Sequence, residues 1–296
     1  MNIKIKKLLP GVKNNILLKN FTTFKIGGRA KYFFIVEKDK DILKAVVAAK
    51  ELKLPFFILG AGSNLLVSDN EYKGLVIKIK NQDLKIKKSE IMAGAGLSLG
   101  RLLDFATVHG LSGIEWLTGI PGTVGGAIYG NAGGFGKSMK SAVEKVEVLD
   151  FKSLEIKTYN LKDCRFSYRE SIFKKNKNLI ILSVILKLKK YLKYKIQKQI
   201  KEYLDYRGEH QPLNFSSAGS VFKNPSSFSA GELIEKCGLK GKRIGNVKIS
   251  EKHANFIINM GNGRAEDVKK LINLVKRKVK DKFKINLEEE VQYLGF

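Results

Sequence analysis

A chain of 296 residues with 44% hydrophobic content can bury a substantial core and is too apolar for a disordered segment. Its two cysteines, Cys164 and Cys237, are too few for a disulfide framework or a cysteine-built metal cage. The formal charge of +27 raises nucleic-acid binding, but only eight of the 55 basic residues are Arg, the side chain suited to reading bases, and no nucleic-acid motif accompanies them; a basic surface would instead attract anionic small molecules.

The first twenty residues are basic but lack an apolar h-region and a small-residue cleavage site, so no signal peptide is expected. Residues 41–53 (DILKAVVAAKELK) have helical periodicity, Pro55 follows, and Phe56–Leu59 reads as a strand. The stretch GAGSNLLVSD comes next, then strand signals at 75–79 and from Ile86 onward. Residues 98–110 predict a helix capped by Ser98 and stopped by Gly110. A glycine-dense block, residues 119–138 (GIPGTVGGAIYGNAGGFGKS), then carries eight glycines in twenty positions, which implies close backbone approach or unusual dihedrals. Strand-like runs follow at 143–149 and 179–188; the apolar run 179–186 is the longest and falls short of the roughly 18 residues of a membrane span. Residues 191–206 read as a charged connecting helix. Beyond it come a strand around Ser220, a helix at 230–237, a strand at 254–259, a long helix at Ala265–Phe283 and a last strand near Val291.

Two familiar phosphate motifs fail. Gly60-Ala61-Gly62 opens like a dinucleotide fingerprint, but its sixth position is Leu65 and the chain continues as strand. NAGGFGKS misses the P-loop at its first position, Asn131. The histidines His109, His210 and His253 lack metal-ligand spacing, so no metal is expected. What survives is a pair of glycine-rich loops whose exposed backbone N–H groups can together bind a pyrophosphate without a lysine. In SSAGSVFKNP the local sequence leaves Ser220 open as a turn residue, a phosphate ligand or a group that handles a proton.

Six motifs stand in order: FTTFKIGGRA, LGAGSNLLVSD, GIPGTVGGAIYGNAG, YRESIF, AGSVFKNP and LEEEVQYLG. Together they resemble the UDP-N-acetylenolpyruvoylglucosamine reductase (UDP-N-acetylmuramate dehydrogenase) family across nearly the whole chain. The short spacing between YRESIF and AGSVFKNP resembles the form lacking an inserted tyrosine loop. The resemblance implies an α+β fold: a two-lobed FAD-binding domain of the vanillyl-alcohol-oxidase (PCMH) type, residues 1–190 with lobes of about 1–80 and 81–190, and a substrate domain, residues 191–296, whose final strand returns to the active site.

It further implies NADPH-dependent reduction of UDP-N-acetylglucosamine enolpyruvate to UDP-N-acetylmuramate for peptidoglycan synthesis in the cytoplasm. Hydride from reduced FAD goes to C3 and a proton to C2. Ser220 would donate that proton, Arg169 would pair with the substrate carboxylate and developing enolate, and Glu290 would assist; Glu288 and Glu289 stay open as alternatives, since Glu289 stands where many relatives have Pro. The cofactor set implied is Thr22, Thr23, Gly60, Ala61, Gly62, Ser63, Asn64, Ile120, Pro121, Gly122, Thr123, Gly125 and Gly126. Tyr168, Arg207, Asn224 and Lys223 would bind substrate. The loops carry no His or Cys to attach the flavin, so FAD is expected to be non-covalent. No membrane insertion, nucleic acid or obligatory protein partner is expected. A flavin-dependent alcohol oxidase of the same fold is the nearest rival; it has no need of AGSVFKNP or LEEEV.

Overall fold

The apolar run Leu179–Lys187 becomes the middle strand of a five-stranded antiparallel sheet in the computed structural model, which describes residues 2–296. Most of its side chains are buried, which explains why it reads as continuous hydrophobic sequence and not as alternation. The sheet runs in the order Glu155–Asn160, Val143–Asp150, Leu179–Lys187, Glu90–Gly94, Leu84–Lys87, with Val146 facing Val184 and Ser183 facing Gly94. Charged residues on the outer strand Glu155–Asn160 (EIKTYN) blunt that edge.

This sheet belongs to the first of two units, made of the chain up to Lys13, Tyr32–Ala61 and Gly74–Tyr206. The same unit holds a parallel pair, Phe56–Leu59 beside Tyr72–Ile79, with Ile58 opposite Ile77. The chain crosses over between them through residues 60–71, which carry GAGSN. Helix Asp39–Glu51 buries Ile42, Ala45, Val46 and Ala49, spaced three and four residues apart. Helix Leu99–Val108 begins where expected: the Ser98 hydroxyl accepts from Arg101 N at 3.2 Å. It stops at Gly110, whose φ of +62° continues the chain left-handed. Inside the glycine-dense block a short helix, Val124–Tyr129, was not foreseen. The near P-loop NAGGFGKS is instead a tight hairpin, Gly133–Gly134 paired with Lys137–Ser138.

The second unit comprises Asn14–Lys31, Gly62–Lys73 and Arg207–Phe296. Its sheet has the order Ser216–Ser220, Phe256–Asn259, Val247–Ile249, Arg243–Ile244. Helix Ala265–Phe283 has the bounds expected from periodicity and buries Val268, Leu271, Ile272, Val275 and Val279. Two early segments join this unit because Phe24, Ile26 and Leu66 pack in its core with Val221, Phe222 and Leu271. Leu65–Val67 also pairs in parallel with Gln292–Leu294. The units therefore differ from a single division at residue 190. The connecting helix, Lys193–His210, extends past Tyr206 and carries the change of unit within it.

Candidate active site

In the first unit the two glycine-rich loops meet. A Cβ on Gly60 would lie 2.6 Å from Thr123 Oγ1, so only glycine permits this approach. Thr123 is itself fixed, since its hydroxyl accepts from Gly126 N at 3.4 Å and caps the Val124–Tyr129 helix. Leu99 N donates to Gly122 O and Gly125 N to Ala95 O, which tie the second loop to the body of the unit. A Cβ on Gly125 would meet that of Ala95 at 2.9 Å. Pro121 and Gly126 remain exposed beside buried Thr123 and Val124. Ile120 N donates to Leu117 O, and Ala61 follows Gly60, partly exposed.

Tyr168 and Arg169 form the tip of a tight turn closed by mutual N–H···O bonds between Ser167 and Glu170. Arg169 has φ +56°, a left-handed conformation that costs a non-glycine residue on the order of 1 kcal/mol. Its Nη2 donates to Gly133 O at 3.1 Å and its guanidinium lies 5.2 Å from the Tyr168 ring centre. Asn131 Nδ2 donates to Ser167 O at 2.8 Å, so the glycine-dense block holds the arginine turn at two points. Lys174 Nζ braces the turn from behind, donating to Arg169 O and to Glu170 Oε1.

In the second unit Ser220 closes the strand Ser216–Ser220, opposite Phe256, just past a shift in register and after Gly219 at φ +75°. Beyond it the buried Asn255 takes over as partner. Its backbone oxygen accepts from Val221 N at 2.9 Å, its Oδ1 accepts from Phe222 N at 2.9 Å, and its Nδ2 donates to Phe222 O at 2.8 Å. On the other side Val221 O accepts from Glu290 N at 2.8 Å. One residue therefore links the backbone of Ser220 to that of Glu290. Asn255 was not singled out in the sequence; its one signal was an amide between the apolar Ala254 and Phe256–Ile258.

The three glutamates have divided environments. Glu288 pairs with Lys223 Nζ, and Lys223 N donates to Glu288 O. Glu289 bonds Lys276 Nζ at 2.7 Å and the Tyr293 hydroxyl, and burial followed by this carboxylate pushes the Tyr293 pKa up. Glu290 is held by its backbone at Val221, and its carbonyl accepts from Asn64 Nδ2 at 3.1 Å.

Asn64 thus joins the first glycine-rich loop to the Glu290 segment, helped by Gln292 N donating to Asn64 O. Gly62, at φ +65°, leaves no room for a Cβ against Phe21 O, and Ser63 is partly exposed. Thr23 N donates to Gly62 O, and Thr23 Oγ1 donates to Ser217 O at 2.7 Å. Buried Thr22 turns its hydroxyl into its own loop, toward Ile26 O. Asn224 is exposed and its Oδ1 accepts from Ala230 N; Lys223 is buried. Arg207 is 8% exposed in the last turn of its helix, bonds Gln211 Oε1, and has its pKa lowered by burial.

In the first unit close packing fixes the backbone of both loops, since a Cβ on Gly60 would strike Thr123 and one on Gly125 would strike Ala95; fixed loop backbone of this kind suits a pyrophosphate. In the second unit Asn64 Oδ1 is buried with no hydrogen-bond partner among the described residues, an acceptor left for a ligand N–H or O–H. Burial pushes the Cys164 thiol up to about 12, so it is no nucleophile at neutral pH. Among the described residues no three His, Cys, Asp or Glu side chains gather as a metal site requires, and no helix is long and apolar enough to cross a membrane.

Residues 30–157 match the FAD binding domain family, and residues 211–294 match the family described as UDP-N-acetylenolpyruvoylglucosamine reductase, C-terminal domain. The chain is 42% identical over 295 residues to the UDP-N-acetylenolpyruvoylglucosamine reductase of Caldanaerobacter subterraneus subsp. tengcongensis, covering 99% of this chain and 97% of that one. The enzyme of the same name from Caldicellulosiruptor bescii is 44% identical over 280 residues, covering 94% and 89%. The crystal structure of the Thermus caldophilus reductase superposes with a TM-score of 0.82 at 37% identity, over 96% of this chain and 99% of that one. The fold is α+β, an FAD-binding domain with a C-terminal α+β region. The chain belongs to the UDP-N-acetylenolpyruvoylglucosamine reductase family and is an FAD-dependent oxidoreductase.

Proposed function

We propose that the protein reduces UDP-N-acetylglucosamine enolpyruvate to UDP-N-acetylmuramate with electrons from NADPH, a cytoplasmic step of peptidoglycan precursor synthesis. The observation that carries this reading is the clasp at Val221, which sets Ser220 and Glu290 on adjoining backbone in a chain of this family.

FAD, which the two glycine-rich loops would hold non-covalently, would supply the hydride chemistry between NADPH and C3 of the enolpyruvyl group. The electron pair of the double bond then moves onto C2 and its carboxylate as an enolate. Arg169 pairs with that carboxylate, since a planar, permanently charged fork matches it in two bonds. Ser220 gives its hydroxyl proton to C2, completing the single bond, and recovers a proton from solvent. A serine hydroxyl is a weak acid, so position and nearby charge must carry the transfer. Glu290 assists through its hydrogen bonds. Gly60 to Asn64, with Ile120 to Gly126 and Thr23, holds the cofactor. Tyr168, Lys223, Asn224 and Arg207 bind the anionic substrate. NADPH and the sugar nucleotide bind in turn, which gives ping-pong kinetics.

Rapid mixing of Ser220→Ala tests this. NADPH should reduce its flavin at the wild-type rate, while reoxidation by the enolpyruvyl substrate should slow about 10²- to 10⁴-fold, the range of a lost general acid. Unchanged reoxidation would remove Ser220 from the chemistry.

A further inference from the structure

We propose that Lys78 is a positioning residue for the dinucleotide: it latches the first glycine of GAGSN and brings to that loop the positive charge that the pyrophosphate meets. The inference rests on reading Gly60 to Asn64 as the pyrophosphate loop.

Lys78 interrupts the buried run Leu75, Val76, Ile77 and is followed by buried Ile79. It stands opposite Leu59 in the parallel pair, level with the point where Phe56–Leu59 ends and Gly60 begins. Ligands of parallel strands gather at their carboxyl ends. From there Nζ donates to Gly60 O. A carbonyl bonds the ammonium but does not neutralise it. Among the described residues no carboxylate pairs with Lys78, and its charged neighbour, Lys80, has the same sign.

A half-buried cation without a counter-ion is unfavourable. Burial, and then Lys80, lower the Lys78 pKa to about 8, which leaves it a cation at neutral pH. An anion bound at the loop offsets that cost. The latch also has a rigid target, because Gly60 is packed against Thr123 Oγ1 with no space for a Cβ. Lys78 therefore meets both needs of a pyrophosphate loop, a fixed backbone and a positive potential.

Three variants of the full-length holoenzyme separate these contributions: Lys78→Gln keeps a donor without charge, Lys78→Arg keeps the charge, and Lys78→Met keeps neither. FAD released on dilution, read as free-flavin fluorescence, gives the dissociation constant at low and high salt. Lys78→Gln and Lys78→Met should bind FAD about tenfold or more weakly, with a flatter salt dependence, and Lys78→Arg should stay within about threefold of wild type. Wild-type affinity and salt dependence in Lys78→Gln would overturn the inference, as would Lys78→Arg binding as weakly as Lys78→Met. A wild-type protein that takes up no FAD would instead overturn the functional reading beneath it.

Discussion

Three consecutive glutamates show how much of a residue's role lies in its neighbours. Nothing in LEEEV separates them by type, but Glu288 is engaged by Lys223, Glu289 by Lys276 and Tyr293, and Glu290 is placed beside Ser220 by its backbone. This division predicts unequal mutants. Glu290→Gln should slow flavin reoxidation by the substrate roughly 10- to 100-fold, the effect of losing a charged hydrogen-bond partner of about 1.5–3 kcal/mol. Glu288→Gln and Glu289→Gln lose partly exposed ion pairs and should change stability by no more than about 1 kcal/mol, leaving the flavin half-reactions within about threefold of wild type. Single-turnover rates of the three variants check this; an equal loss in all three would assign the acid wrongly.

At the scale of elements, the account depends on two loops meeting at Gly60 and Thr123. Gly60→Ala should destabilise by about 1–3 kcal/mol through overpacking and lower FAD content. Thr123→Ala should cost about 1 kcal/mol as a lost helix cap. Because Thr123→Ala removes the one atom that a Gly60 Cβ would strike, the double variant should be less destabilised than the sum of the two, as thermal melts would show. Strict additivity would mean the loops do not meet there. Elements governed by local patterns were legible in the sequence: helix Ala265–Phe283 from its apolar spacing, and helix Leu99–Val108 from Ser98 and Gly110. Helix Val124–Tyr129 was hidden because glycine supplies no apolar periodicity. The Asn255 clamp on Phe222 was equally hidden, since the two residues stand 33 apart in the chain and meet only where Ser216–Ser220 pairs with Phe256–Asn259.

For the whole molecule, the motifs mapped the family along the chain, but chain order did not map the units. Phe24 and Ile26, read as part of an N-terminal cofactor motif, are core residues of the unit that carries Ser220 and Glu290, and the Leu65–Val67 strand pairs with the last strand of the chain. Such groupings follow from long-range burial, which no local window of sequence contains. The high positive charge suits a protein whose proposed ligands, NADPH and a UDP-sugar, are both anionic. The central claim is that flavin carries electrons from NADPH to the enolpyruvyl ether. The direct measurement is anaerobic: reduce the protein-bound flavin with one equivalent of NADPH, then add UDP-N-acetylglucosamine enolpyruvate and follow the visible flavin band. The account predicts rapid return of the oxidised spectrum with formation of UDP-N-acetylmuramate; flavin that stays reduced until oxygen is admitted would contradict it.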